Sequence, residues 1–195
     1  MTINGTGTQR ILNESFKYTP DYIYVNNVLQ TTNNITVNLT EQINNITIIF
    51  NQQITDCSYM FNDLSNIIYI DLSLFDTKLV TNMLGMFGTC YKNGADSYSF
   101  TYKGYSLISL NLNNLDTSNV TDMGIMFCGC NSLISLNLNY FNTSLVTDMK
   151  GMFFGCSSLT SLNLNNFNTS KVQNIHLQNL EKTVIISVLQ MKIIN

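Results

Sequence analysis

The segment Leu107 to Ser132, LISLNLNNLDTSNVTDMGIMFCGCNS, is copied almost residue for residue in Leu133 to Ser158, a period of 26 residues. A third copy opens at Leu159 with LTSLNLNNFNTSKV, and an earlier one runs from Ile67 to Cys90, offset by 40 residues because of an insertion. Periods of this size mark repeats that stack into a solenoid. One unit cannot bury its apolar face alone, so each must use its neighbours as its core.

Each unit begins L-x-x-L-x-L, as at Leu107, Leu110 and Leu112, and the alternating end of that pattern suits a half-buried strand. The intervening residues then share one polar face: Ser109, Asn111, Asn113, Ser135, Asn137, Asn139, Ser161, Asn163 and Asn165. The second half carries Val120, Met123, Met126, Phe127 and Cys130. At about 100° per residue these span an arc of roughly 120°, which predicts a short amphipathic helix. Val80, Met83, Met86, Phe87, Cys90 and Val146, Met149, Met152, Phe153, Cys156 repeat the stripe. Asp116-Thr117-Ser118 and Asn142-Thr143-Ser144 precede it as helix caps. Strands pair at about 4.8 Å and helices at roughly 8–10 Å, so the expected fold is an α/β repeat solenoid. It is an arc with a concave parallel sheet and short helices on the convex side.

L-x-x-L-x-L followed by a turn and a short helix resembles the leucine-rich repeat class. The longer motif FNTSxVTDMxxMFxGC, quoted from Phe141 to Cys156, is similar to the repeat of BspA-like surface proteins, and the match covers Ile43 to Val172. Where leucine-rich repeats place an Asn ladder, this chain has Phe75, Leu115, Phe141 and Phe167, which suggests an apolar spine. The resemblance implies a module on a cell surface or in a secreted protein, used for adhesion, and it implies no catalytic residues.

Residues 1–45 lack the repeat, yet Tyr22 to Leu29 reads as two strands about an Asn26-Asn27 turn, and runs at 35–40 and 45–50 look strand-like. The segment is expected to be an N-terminal β cap. Residues 46–172 form the array, starting with a degenerate coil that carries Ile54, Cys57, Met60, Phe61 and Leu64. Residues 91–106 are an insertion rich in aromatics, either a hairpin over neighbouring coils or a protruding contact loop; residues 173–195 are a degenerate terminal coil or C-terminal cap. Residues 1–20 lack the basic start and apolar core of a signal peptide, and Thr183 to Ile194 is shorter than the roughly 20 residues of a membrane span. The surface location therefore rests on the resemblance, and the residues themselves leave an intracellular one open.

A formal charge of -3 with only 11% charged residues lacks the basic footprint of a nucleic-acid binder. His176 is the single histidine and has no partner motif, so catalysis is not expected. Cys90, Cys130 and Cys156 share one stripe position and read as buried thiols, while Cys128 reads as the exposed one. Helix spacing of about 8–10 Å exceeds the roughly 4.4–6.8 Å between α-carbons that a disulfide spans, so bridges between rungs are not expected. The column Asp76, Asp116, Asn142, Asn168 reads as turn and capping residues rather than a metal site, and no cofactor is expected. The function read from the chain is non-enzymatic recognition of a protein or glycan. Its candidate contacts are Tyr69, Asp71, Asn111, Asn113, Asn137, Asn139, Tyr140, Asn163 and Asn165 on the polar face, with Tyr98, Phe100 and Tyr102 of the insertion. The alternative is a scaffold that self-associates through its coil ends.

Overall fold

The computed structural model describes residues 1–31, 34–92, 98–100, 106–176 and 185–187. All regular elements among them are strands: β1 (Thr2–Asn4), β2 (Gly7–Arg10), β3 (Tyr22–Val25), β4 (Val28–Leu29), β5 (Thr36–Leu39), β6 (Ile43–Ile49) and β7 (Ile67–Asp71). These are followed by β8 (Cys90–Lys92), β9 (Tyr98–Phe100), β10 (Ser109–Asn111), β11 (Asp148–Lys150), β12 (Ser161–Asn163), β13 (Asn174–His176) and β14 (Ile185–Ser187). A six-stranded mixed sheet in the order β10-β7-β1-β6-β3-β4 joins the first residues of the chain to the repeats. In it β7 and β10 run parallel, while β1 is antiparallel to both β7 and β6. Asn26 (φ 50°) and Asn27 (φ 67°) close the β3–β4 turn, using the tolerance of asparagine for the left-handed region.

No helix occurs among the described residues, which overturns the expected α/β solenoid with short convex helices. Met83, Gly85, Phe87 and Thr89 donate their amides to Asp122, Gly124, Met126 and Cys128 of the next coil, at 2.9, 2.9, 2.9 and 2.7 Å. Met123, Ile125, Phe127 and Gly129 do the same toward Asp148, Lys150, Met152 and Phe154. The residues between them close tight turns, with Met126 donating to Met123, Cys128 to Ile125 and Cys130 to Phe127. An α-helix would send each amide to the carbonyl four residues back. Here half of them leave the coil.

The cause is a column of left-handed residues at one repeat position: Tyr59 (φ 57°), Gly85 (φ 61°), Ile125 (φ 47°) and Gly151 (φ 65°). Such a residue breaks a right-handed helix wherever it stands. Large and small side chains alternate along the column. A Cβ on Gly85 would lie 2.8 Å from the Tyr59 ring, and one on Gly151 would lie 3.2 Å from Ile125 Cγ2. The predicted helix caps are accordingly turn residues with no helix to cap. With strand-like spacing on both sides of each coil, the difference in thickness that implied an arc is also gone.

Stripe residues Val120, Met123, Met126, Phe127 and Cys130 all reach the core and are buried. Phe61, Phe87, Phe127 and Phe153 stack in one column, with centroids 5.9, 5.5 and 5.7 Å apart and planes within 11°. A pair of this kind adds about 0.5–1.5 kcal/mol beyond burial. Phe141 and Phe167 stack at 6.5 Å, a spine within the turn. The cysteines depart from expectation: Cys90 and Cys128 form a disulfide with α-carbons 5.9 Å apart, and Cys128 is buried rather than exposed. The exclusion of such bridges assumed helix spacing, whereas rungs joined by backbone hydrogen bonds stand close enough for one. Cys57, Cys130 and Cys156 remain free and buried.

Candidate functional site

Each coil turns three corners, and an Asp or Asn stands at each. At the first, Asp71, Asn111, Asn137 and Asn163 accept from the amide two residues on, at 2.9, 3.3, 3.1 and 3.0 Å. At the second, Asp76, Asp116, Asn142 and Asn168 do so at 3.1, 2.9, 3.0 and 2.9 Å. At the third, Asp56, Asn82, Asp122 and Asp148 do so at 2.8, 2.9, 2.8 and 2.8 Å. These side chains mimic a backbone turn, which is why short polar residues recur there. The second column, considered from the sequence as a possible cation site, is occupied in this turn role. No group of three or more metal-ligating side chains occurs among the described residues.

The first corner carries the predicted polar face. Parallel pairing of Tyr69 with Ser109 and of Asp71 with Asn111 sets two neighbouring rungs in register. Thr160 donates to Ile134 at 3.4 Å, placing the rungs of Asn137 and Asn163 in the same way. Asp71, Asn113, Asn137, Asn139, Asn163 and Asn165 are exposed, and Tyr69 and Asn111 are half-buried. Tyr140 is 68% exposed beside Asn139. The Tyr69 hydroxyl donates to Asp71 Oδ2 at 3.1 Å. Hydrogen bonds from Ser73, and then from Tyr69, hold the Asp71 carboxyl below the usual carboxylate range. Asn163 Nδ2 reaches Asn139 Oδ1 at 3.4 Å, so the columns also bond to one another.

The turn fixes which atoms face outward. Because the Oδ1 of Asn137 is engaged by the Asn139 amide, its Nδ2 group is the donor left for an outside acceptor. On the next rung the Nδ2 group of Asn163 is turned to Asn139 Oδ1 instead. Asp71, at one end, is a permanently charged acceptor near neutral pH.

The insertion is placed only in part. β8 and β9 pair as an antiparallel hairpin, which sets the backbone of Tyr98 and Phe100 on β9; Tyr102 lies outside the described residues. Tyr91, at the base of the hairpin, stacks on Tyr59 at 5.5 Å and accepts a hydrogen bond from Asn13 Nδ2 at 3.2 Å. The Cys90–Cys128 disulfide closes the same base. The backbone of His176 lies on β13.

Sequence reasoning missed a column of buried threonines, Thr77, Thr117 and Thr143, which tie each coil to the next. Their hydroxyls donate to the carbonyls of Asp116, Asn142 and Asn168 at 2.9, 3.1 and 3.2 Å. The signal was present as the recurrent Asp/Asn-Thr pair, which in sequence reads equally well as a helix cap.

The family described as "Mycoplasma protein of unknown function, DUF285" matches residues 25–103 and again residues 96–178. The chain belongs to this family. The double match agrees with the internal repeat, which extends through both matched segments. No curated protein and no solved structure matches the chain. No helix among the described residues is long and apolar enough to cross a membrane.

Proposed function

We propose that this chain is a non-enzymatic recognition module that binds an extended protein or glycan along its polar columns. The observation that supports this reading is the register of Asp71, Asn111, Asn137 and Asn163 on successive rungs, each with its oxygen committed to a turn. The Asn137 amide and the exposed Asp71 carboxylate offer a donor and an acceptor on this face to a partner with polar groups, such as peptide carbonyls or sugar hydroxyls. The similarity of Phe141 to Cys156 to BspA-like repeats supports adhesion at a cell surface as the setting.

The test is binding of the full chain to peptide and glycan arrays, followed by Asn137→Asp. This substitution keeps the turn-forming oxygen and replaces the outward donor with an acceptor. Selective loss of the bound partner, with an unchanged melting temperature, is the expected result. Unaltered binding would refute the assignment of the face. Protease digestion on intact source cells, against a cytosolic marker, tests the location.

A further inference from the structure

The stack of coils begins with one corner vacant. Thr117 and Thr143 each span the next coil, donating to the carbonyl of Asn142 or Asn168 and accepting the amide of the same residue at 2.8 and 2.7 Å. Asp76 is the first residue of that column, and one period before Thr77 the chain has Asn51. Asn51 is held elsewhere. Its amide bonds Asp21 Oδ2 at 2.7 Å, Gln52 Nε2 bonds the Thr19 carbonyl at 2.7 Å, and the Asp21 amide bonds Ile49 at 2.8 Å. These contacts draw the chain after β6 away from the coil, and among the described residues no hydroxyl spans the amide and carbonyl of Asp76.

What opens is a groove of about 760 Å³ between the end of β6 and residues 70–79. Phe50, Ile54, Leu72, Leu74, Phe75 and Leu79 supply its apolar wall. Leu74 is 99% exposed and Leu79 44%. The wall carries two carboxylates, Asp71 and Asp76, and the α-ammonium of Met1, which donates to the Ile46 carbonyl at 2.7 Å; neither carboxylate takes part in an ion pair of the described residues, which join Arg10 to Glu14 and Lys17 to Asp56.

We propose that this groove is a vacant rung, filled by an extended segment of a partner protein. A Thr or Ser hydroxyl of that segment bridges the amide and carbonyl of Asp76, as Thr117 does for Asn142. Apolar side chains on either side of it enter beside Leu72 and Phe75, and a Lys or Arg faces Asp76. Backbone addition to an open edge is a common mode of peptide capture, with side-chain pockets giving selectivity. Charge decides the flank, because the Met1 ammonium already lies in the field of Asp71 and leaves Asp76 as the carboxylate that favours a cationic neighbour. The chain's own rung Phe167-Asn168-Thr169-Ser170-Lys171-Val172 shows the composition: an aromatic before the threonine, then a lysine and a valine. Asp71 is shared with the first-corner column and Asp76 with the second; the apolar wall of this site is separate from both.

The test uses the full chain and a fluorescent peptide that copies residues 165–173, NNFNTSKVQ, with fluorescence anisotropy as the readout. Saturable binding is expected, about tenfold weaker for the peptide with Thr169→Val and for the protein with Leu74→Asp. Leu74 is fully solvated, so its replacement leaves folding intact and isolates the groove from the polar face. Absence of saturable binding up to millimolar peptide would overturn the proposal. So would equal binding of the valine peptide, indifference to Leu74→Asp, or displacement of the peptide by a neutral oligosaccharide.

Discussion

Replacing Thr117 with valine removes one hydroxyl from a side chain that is 1% exposed and leaves its shape nearly unchanged. Two hydrogen bonds go with it: the one to the Asn142 carbonyl at 3.1 Å and the one from the Asn142 amide at 2.8 Å. Each backbone group left without a partner costs about 1–3 kcal/mol. Asn142 is exposed, so water takes up part of that cost. The net loss works out at about 2–3 kcal/mol, or roughly 4–12 °C in melting temperature for a chain of this size. Thr77→Val is the internal control, because Thr77 donates to Asp116 at 2.9 Å but stands at the start of the column. It should cost about half as much, since one bond is lost rather than two. Urea denaturation of the oxidised protein, with the slope unchanged between variants, measures both. A Thr117→Val protein within about 0.5 kcal/mol of the parent, or no worse than Thr77→Val, would refute the threonine ladder as a source of stability.

Phe127 lies between Phe87 and Phe153 in the aromatic column, so Phe127→Ala should cost about 3–5 kcal/mol by urea denaturation. Reducing the Cys90–Cys128 disulfide, which spans 38 residues of sequence, should cost about 4 kcal/mol, read as a lower melting temperature in the presence of a phosphine reductant. Burial pushes the thiols of Cys57 and Cys156 up to about 12, from an ordinary value of 9.0. The unfolded chain therefore gives up these protons first. Their contribution to stability is full below about pH 9 and falls as the pH rises toward 12, by up to about 1.4 kcal/mol per pH unit for each thiol. Urea curves recorded across that range should show the decline, and Cys57→Ala should make it shallower.

The core was legible in the sequence while the conformation that builds it was not. Val120, Met123, Met126, Phe127 and Cys130 recur at intervals of three and four, and all five are buried. That spacing fits one face of a helix, but a run of tight turns also brings every third or fourth residue to one side. The glycines carried the distinction. Gly85 and Gly151 sit within the stripe at one repeat position, where a helix loses about 1 kcal/mol to glycine and a left-handed turn favours it. Ile125 and Tyr59 hid the signal, because they adopt the same conformation without being glycine. The disulfide was missed for a related reason, since the separation argued against it belonged to packed helices. The polar face was readable because alternation along an extended segment holds whether a helix or a run of turns comes after it. The groove was not, because it arises from a contact between Asn51 and Asp21 that no repeat pattern encodes.

The claim on which the rest depends is that the second half of each coil bonds to its neighbour rather than to itself. Scalar couplings across hydrogen bonds, measured by NMR on deuterated protein, test it residue by residue. The amide of Phe127 should correlate with the carbonyl carbon of Met152, and the amide of Met123 with that of Asp148. A correlation from Phe127 to Met123, four residues back, would mean an α-helix and would contradict the account.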